Sequence, residues 1–358
     1  MDHRHRRSAR TPLKIDLALQ GGGALGAFTW GVLDRLLEED IDIGRISGTS
    51  AGALNGAALA TGLARGGNAA AKEHLALLWE QVALAGSALS FLMLPLRKPG
   101  SMGLWDDLQP LISPYQTNPL GIAPLRAILE QVVDIGLLRK AHAAPAVFVN
   151  AVHVQSGKGR VFGPPEISID AILASACAPL MFQAVRIDGE DYWDGSYVTN
   201  PFLWPLYENQ LDTDILLVEL IPLQRAETPM SAKNILNRLN EVTSINGLVA
   251  ELTALEAVNR HAPGADIRMH VLSMPEQPAA ELAKEPSIKR TVDRTVFEML
   301  RQDGRRACEA WLDAYADQLG RQSSVDVGAK YLRPYAQPTF GPGLAARAVP
   351  MAGDAAAA

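Results

Sequence analysis

The chain has 358 residues, 48% of them hydrophobic and 20% charged, with a formal net charge of −6. That length fills one large domain with additions, or two domains, and its core needs no staple. The two cysteines, Cys177 and Cys308, are too few for a disulfide framework and stand in no metal-ligand spacing. The acidic balance excludes a general nucleic-acid binder, which needs clustered cations to neutralise phosphates.

Residues 1–12 carry Arg4, Arg6, Arg7 and Arg10, but no apolar run of the kind a secretory signal requires follows them. They read as a disordered basic N-terminus. No stretch approaches the roughly 20 apolar residues of a membrane span. The expectation is a cytoplasmic protein, any membrane contact being peripheral.

Residues 13–20 are short, apolar and followed by Gly21-Gly22-Gly23, which suits a buried strand. From 24 to 39, Leu25, Phe28, Val32, Leu33, Leu36 and Leu37 recur at helical spacing. A second strand over 41–47, a tight turn over 48–52 and a small-residue helix over 51–65 repeat the unit. A helix is expected over 69–82, whereas 87–113 has no period and suits a lid or cap. Within it the apolar stretch 89–96, with Trp105, suits either a lipid-facing entrance or the core.

Further on, helices are expected over 124–133 and 168–177 and a strand over 145–154. Residues 185–193 read as a turn between two short strands that delivers Asp194. Strands follow over 213–222 and 266–274, with helices over about 230–260 and 293–319. The Ala-, Gly- and Pro-rich tail 342–358 reads as disordered. This alternation predicts a three-layer α/β/α fold with a mostly parallel central sheet. Residues 13–205 form its catalytic domain, and 206–341 a mainly helical C-terminal extension packed on the core.

Three segments carry chemistry. Gly48-Thr49-Ser50-Ala51-Gly52 is a GxSxG between an expected strand and an expected helix. That setting exposes a strained serine, places small residues where the turn passes its neighbours, and aims a helix N-terminus at a developing oxyanion. Gly21-Gly22-Gly23-Ala24-Leu25-Gly26 offers unobstructed backbone amides to an oxyanion or a phosphate, and it also matches the dinucleotide-binding spacing. Against a dinucleotide stands the end of the next strand, Ser47-Gly48-Thr49-Ser50, where an acidic residue would hold the ribose; Asp40 and Asp42 lie at its other end. Asp194-Gly195-Ser196 suits a surface turn equally well when taken alone.

The order of the three segments resembles the patatin-like phospholipase family of lipid acyl hydrolases, over about residues 13–205. The run Ala174-Ser175-Ala176-Cys177-Ala178-Pro179, with Phe182 and Asp188-Gly189, resembles the approach to the aspartate in bacterial members. The resemblance implies a Ser50/Asp194 dyad in which the aspartate takes the serine proton directly. It implies an oxyanion hole from the amides of Gly21, Gly22 and Gly23, with Gly26, Gly48, Gly52, Gly195 and Ser196 shaping the turns. It implies an acyl-ester lipid substrate and no metal or organic cofactor. Two departures stand out: Leu25 where many members have a cation, and Ser196 where they have Gly or Ala.

Other readings compete. A Ser/His/Asp triad would draw on His261 or His270, although one sits at a helix end and the other within an expected strand. Ser175 and Cys177 lie in a run of small residues, where packing explains them. Two readings from other classes are a nucleotide-binding enzyme that uses the Gly21 to Gly26 loop, and a non-catalytic lipid-binding protein in which lipid binding persists without turnover at Ser50.

Overall fold

Near-continuous apolar strands followed by glycine turns and amphipathic helices leave a chain one economical arrangement, a parallel sheet covered on both faces. A computed structural model describes residues 13–93, 113–118, 120–140, 142–225, 227–275 and 294–332. Its strands are β1 (Leu13–Leu19), β2 (Ile41–Gly48), β3 (Ala146–His153), β4 (Gly159–Phe162), β5 (Val185–Ile187), β6 (Glu190–Asp194), β7 (Asp212–Glu219) and β8 (Asp266–Ser273). The main helices are α1 (Gly26–Leu36), α2 (Ala51–Met93), α3 (Ala123–Val132), α4 (Ile169–Ser175), α5 (Ala232–His261) and α6 (Arg294–Tyr315).

These strands form one sheet in the order β5-β6-β3-β2-β1-β7-β8, with β4 also on β3. β3, β2, β1, β7 and β8 run parallel, whereas β4 and β6 meet β3 antiparallel. Alternation along β7 builds the layers. Leu216 and Val218 join the core beneath α1, α2 and α6, while Ile215 and Leu217 join Leu248, Leu252 and Leu255 of α5 on the opposite face. The sheet is therefore continuous across residue 205. The C-terminal portion supplies helices and also two strands, one of them paired directly with β1.

The helices expected over 51–65 and 69–82 are the two limbs of α2, separated by non-helical backbone at Gly66 and Gly67, the latter with φ of 65°. Two local outcomes differ from the periodicity. The second limb of α2 runs on to Met93, into a segment that has no helical period. β4 escapes a sequence reading because it has only four residues and an exposed start. The N-terminal 1–12, the tail, residues 94–112 with Trp105, and the side chains of 87–93 lie outside the described residues, so the lid and the two disordered ends are expectations only. Among the described residues no helix is long and apolar enough to cross a membrane.

α1 and α6 cross with backbones in contact, because Gly31 faces the Arg301 carbonyl and Gly304 faces the Phe28 carbonyl. A Cβ at either position would overlap main-chain atoms, which cannot swing aside as a flexible side chain can. Around the crossing, Asp34 of α1 accepts hydrogen bonds from Arg301 and Arg305 of α6. Gly31→Ala and Gly304→Ala should each destabilise the protein by about 1–3 kcal/mol, the usual cost of overpacking. Urea unfolding at constant m-value checks this; a loss below a few tenths would show that the helices separate freely.

Candidate active site

The parallel strands β1 and β2 end side by side, so the loops that leave them must share space at the carboxyl edge of the sheet, where open α/β sheets place their sites. Gly21 is the point of closest approach. A Cβ there would lie 2.6 Å from Ser50 Cβ and 2.7 Å from the Thr49 carbonyl oxygen, so the position admits only hydrogen. Ser50 itself has φ of 53°, a left-handed conformation that costs a side-chain-bearing residue about 1–2 kcal/mol. It is half-buried, and α2 begins at the next residue, directing its positive end toward the serine.

β6 runs antiparallel to β3 and ends at Asp194, opposite Ala151, which brings the carboxylate to the same edge. Its backbone N–H donates to the Cys177 carbonyl at 2.9 Å. One carboxylate oxygen accepts the Ser196 N–H at 2.9 Å, and the Ser50 hydroxyl stands close enough to the carboxylate to lower its pKa. Asp194 is only 5% exposed. Burial pushes its pKa up from 3.8 to about 6, and the hydrogen bonds from Ser196 and Ser50 hold it from rising further. The Cys177 thiol is pushed up to about 12 by burial and by Asp194, which keeps it protonated and unreactive.

The structure thus brings Ser50, Asp194 and the glycine loop together, and it divides the loop's duties. The Gly21 N–H is already donated, to Asn200 Oδ1 at 2.7 Å, and Asn200 Nδ2 returns a bond to the Gly21 carbonyl at 3.0 Å. The expectation of three oxyanion-facing amides is corrected accordingly. Gly22 and Gly23, more open to solvent, are the loop positions whose N–H groups have no partner among the described residues. Leu25 turns inward and is buried in the core, so the loop is held by packing and by Asn200. Gly26, Gly48, Gly52 and Gly195 all sit against neighbouring atoms that a Cβ would strike, and Ser196 continues the turn after Asp194.

Three polar side chains that the motifs do not contain join these loops. Asn150 of β3 accepts the Thr49 hydroxyl at 2.5 Å and donates to the carbonyls of Gly195 and Thr199 at 3.2 and 3.1 Å. Ser175, fully buried, accepts the Ser50 N–H at 3.0 Å. Asn200 is the third. Asn150 had a signal available, since an asparagine inside the apolar run Val147-Phe148-Val149-Asn150-Ala151-Val152 must find partners or pay for its burial. Ser175 looks like packing in sequence, and its partner is visible only in three dimensions.

The histidines go elsewhere. His270 is buried in β8 against Asp214 at 2.9 Å, and His153 pairs with Glu190 and Ser156. His74 contacts the Val132 carbonyl, while His261 ends α5. None of these bonds involves Ser50 or Asp194. Asp40 and Asp42 lie exposed at the start of β2, at the opposite end of that strand from Ser50, so no carboxylate there reaches the glycine loop.

The family described as "Patatin-like phospholipase" matches residues 17–207. No curated protein matches the chain. Among solved structures, VipD from Legionella pneumophila aligns with a TM-score of 0.39 and 14% identity, covering 93% of this chain and 78% of that one. The ExoU-SpcU complex from the type III secretion system of Pseudomonas aeruginosa aligns with a TM-score of 0.35 and 15% identity, covering 85% of this chain and 52% of that one.

Burial of Asp194 has a stability consequence whose sign follows from linkage. Its folded pKa lies above the unfolded value, so the contribution is full below pH 3.8 and lost as pH rises through about 6. The difference is worth about 3 kcal/mol against the folded state at neutral pH. Asp194→Asn should therefore stabilise the protein at pH 8 by about 1–3 kcal/mol, with the gain fading toward pH 4. Urea unfolding at the two pH values tests it; an equal difference at both would mean that charge burial is not the cause.

Proposed function

The chain belongs to the patatin-like phospholipase family, and on that premise we propose that it is a serine acyl hydrolase that cleaves carboxylic esters of lipids with Ser50 as nucleophile and Asp194 as base. The observation that carries this reading is the meeting at one sheet edge of Ser50, held at φ of 53° against Gly21, and the buried carboxylate of Asp194, on whose pKa the Ser50 hydroxyl acts. Burial gives that carboxylate more basicity than a surface aspartate has, and it still leaves most of it ionised at neutral pH.

The reaction follows from this geometry. Ser50 Oγ attacks the ester carbonyl carbon while its proton passes to Asp194. The carbonyl oxygen gains charge and is held by the free N–H groups of Gly22 and Gly23, with the N-terminus of α2 behind Ser50. As the tetrahedral intermediate collapses, the C–O bond to the leaving alcohol breaks and Asp194 returns the proton to that oxygen. Water then attacks the acyl-enzyme, giving its proton to Asp194, and the carboxylic acid leaves as Ser50 is reprotonated. The strained φ of Ser50 holds the hydroxyl at the front of the turn throughout.

A lipid substrate sits in an aggregate, so the reading includes peripheral contact with a lipid surface. The exposed Ile235, Leu239 and Val242 support it, because they fall on one face of α5, the helix whose Ser244 bonds the Ser196 carbonyl beside Asp194. Leu239→Glu should weaken binding to neutral-lipid vesicles severalfold while leaving turnover of a soluble short-chain ester unchanged. Equal vesicle binding by both proteins would remove α5 from the contact.

The dyad is tested with p-nitrophenyl esters and a fluorophosphonate label. Ser50→Ala should abolish labelling, and Ser50→Ala and Asp194→Asn should each lower kcat by at least about 10³-fold. His261→Ala/His270→Ala should stay within a few fold of wild type. Because the base must be ionised, kcat/KM should rise with pH through about 6. Turnover that survives Ser50→Ala, or that needs either histidine, would overturn the assignment.

A further inference from the structure

We propose that Asn200 is a positioning residue for the oxyanion-binding loop, an inference that rests on the serine hydrolase reading above. The sheet stops holding the chain after Gln20, whose N–H makes the last bond of β1 to the Val218 carbonyl. At Gly21 the Asn200 carboxamide takes over, accepting the N–H at 2.7 Å and donating to the carbonyl at 3.0 Å across a sequence separation of 179 residues. Asn200 is fully buried, so water does not compete for either bond.

What Gly21 adjoins gives the clamp its meaning. On one side it presses on the Ser50 turn with no room for a Cβ; on the other it leads into the free amides of Gly22 and Gly23. A shift at Gly21 therefore moves the oxyanion donors relative to the nucleophile. Such donors must meet the oxyanion at about 2.7–3.1 Å, and a displacement of about 1 Å can cost about 10²-fold in rate.

Asn200 also ends the segment that begins with the base. Residues 194–200 are fixed by Asn150 at the carbonyls of Gly195 and Thr199, and by Ser244 at the Ser196 carbonyl. The carboxylate that moves the proton and the side chain that sets the glycine loop are thus carried by one braced segment. Distances among base, nucleophile and oxyanion donors are set together.

A matched control exists in the same chain. Asn259 of α5 makes the same two-point clamp on a backbone residue, donating to the Ile267 carbonyl at 2.8 Å and accepting its N–H at 2.9 Å, at the start of β8 and away from Ser50. Asn200→Ala and Asn259→Ala should both lower Tm, but only the first should change the chemistry. With a soluble p-nitrophenyl ester, Asn200→Ala should lose about 10²-fold in kcat with KM within about twofold. Affinity for an alkylboronic acid, which forms a tetrahedral adduct on Ser50, should fall by a similar factor, whereas affinity for a non-hydrolysable ether analogue of the substrate should not. Asn200→Asp, which keeps the acceptor for the Gly21 N–H and loses the donor to its carbonyl, should show the same pattern.

The proposal is overturned if Asn200→Ala loses only Tm, as Asn259→Ala does, or if kcat falls with boronate affinity intact. It is overturned too if neither Asn200 variant folds, since the residue would then be a requirement of the fold itself. Ser50→Ala, assayed alongside, separates the two ideas. Full turnover in that variant sinks the hydrolase reading; lost turnover with a neutral Asn200→Ala sinks this inference alone.

Discussion

The site depends on a steric constraint, the passage of the Gly21 backbone against the Ser50 side chain with no space for a Cβ between them. Adjacent parallel strands create it. β1 and β2 are hydrogen-bonded through Leu19 and Gly48, so the loops beyond them start about one strand spacing apart and must interlock. Glycine on one side and a tight left-handed turn on the other are what allow that, and the outcome is Ser50 packed directly against the glycine loop. The geometry of the candidate site is a by-product of strand pairing, sharpened by residue size.

Close loops need fixing as well as room, and the fixing is polar. Asn150, Ser175 and Asn200 spend their hydrogen-bonding capacity on main-chain and hydroxyl groups of the three loops, in surroundings where an unmade bond would cost about 1–3 kcal/mol. Each therefore has one arrangement that satisfies it and poor alternatives, which converts a meeting of loops into a defined shape. Asp194 is treated differently. It receives the Ser196 N–H and the Ser50 hydroxyl and is otherwise desolvated, so its charge is tolerated more than stabilised. That imbalance suits the proposed role of base, taken without a histidine.

Legibility in the sequence follows the range of the interactions. Strand runs, helix starts and the GxSxG turn are set by neighbours within a few residues, and Ser50, the β5–β6 turn and the delivery of Asp194 were readable from them. Gly21 was readable as a loop glycine, but its occupied N–H was not, because the partner lies 179 residues away. The same holds for Ser175 and Ser50, separated by 125 residues. The break between the two limbs of α2 was readable at short range, because the Gly66-Gly67 pair marks it in the sequence. Glycine pairs usually end helices, and here the backbone leaves helical geometry at both glycines before the second limb packs on the same core.

The boundary near residue 205, where the motifs end, is not where the structure ends. β7 lies against β1 along Ile15 to Leu19, so half the support for the strand that presents the glycine loop comes from the C-terminal portion. Gln20 at the end of β1 accepts the N–H groups of Leu220 and Ile221 just beyond β7, which draws the chain after that strand up to the glycine loop. α5 then braces the base segment from outside, with Ser244 bonded to the Ser196 carbonyl and Gly247 packed on Val198 and Thr199. A segment without a recognisable motif thus holds two of the three motif loops. The groups of the candidate site are gathered within the first 200 residues, but their spacing is a property of the whole sheet.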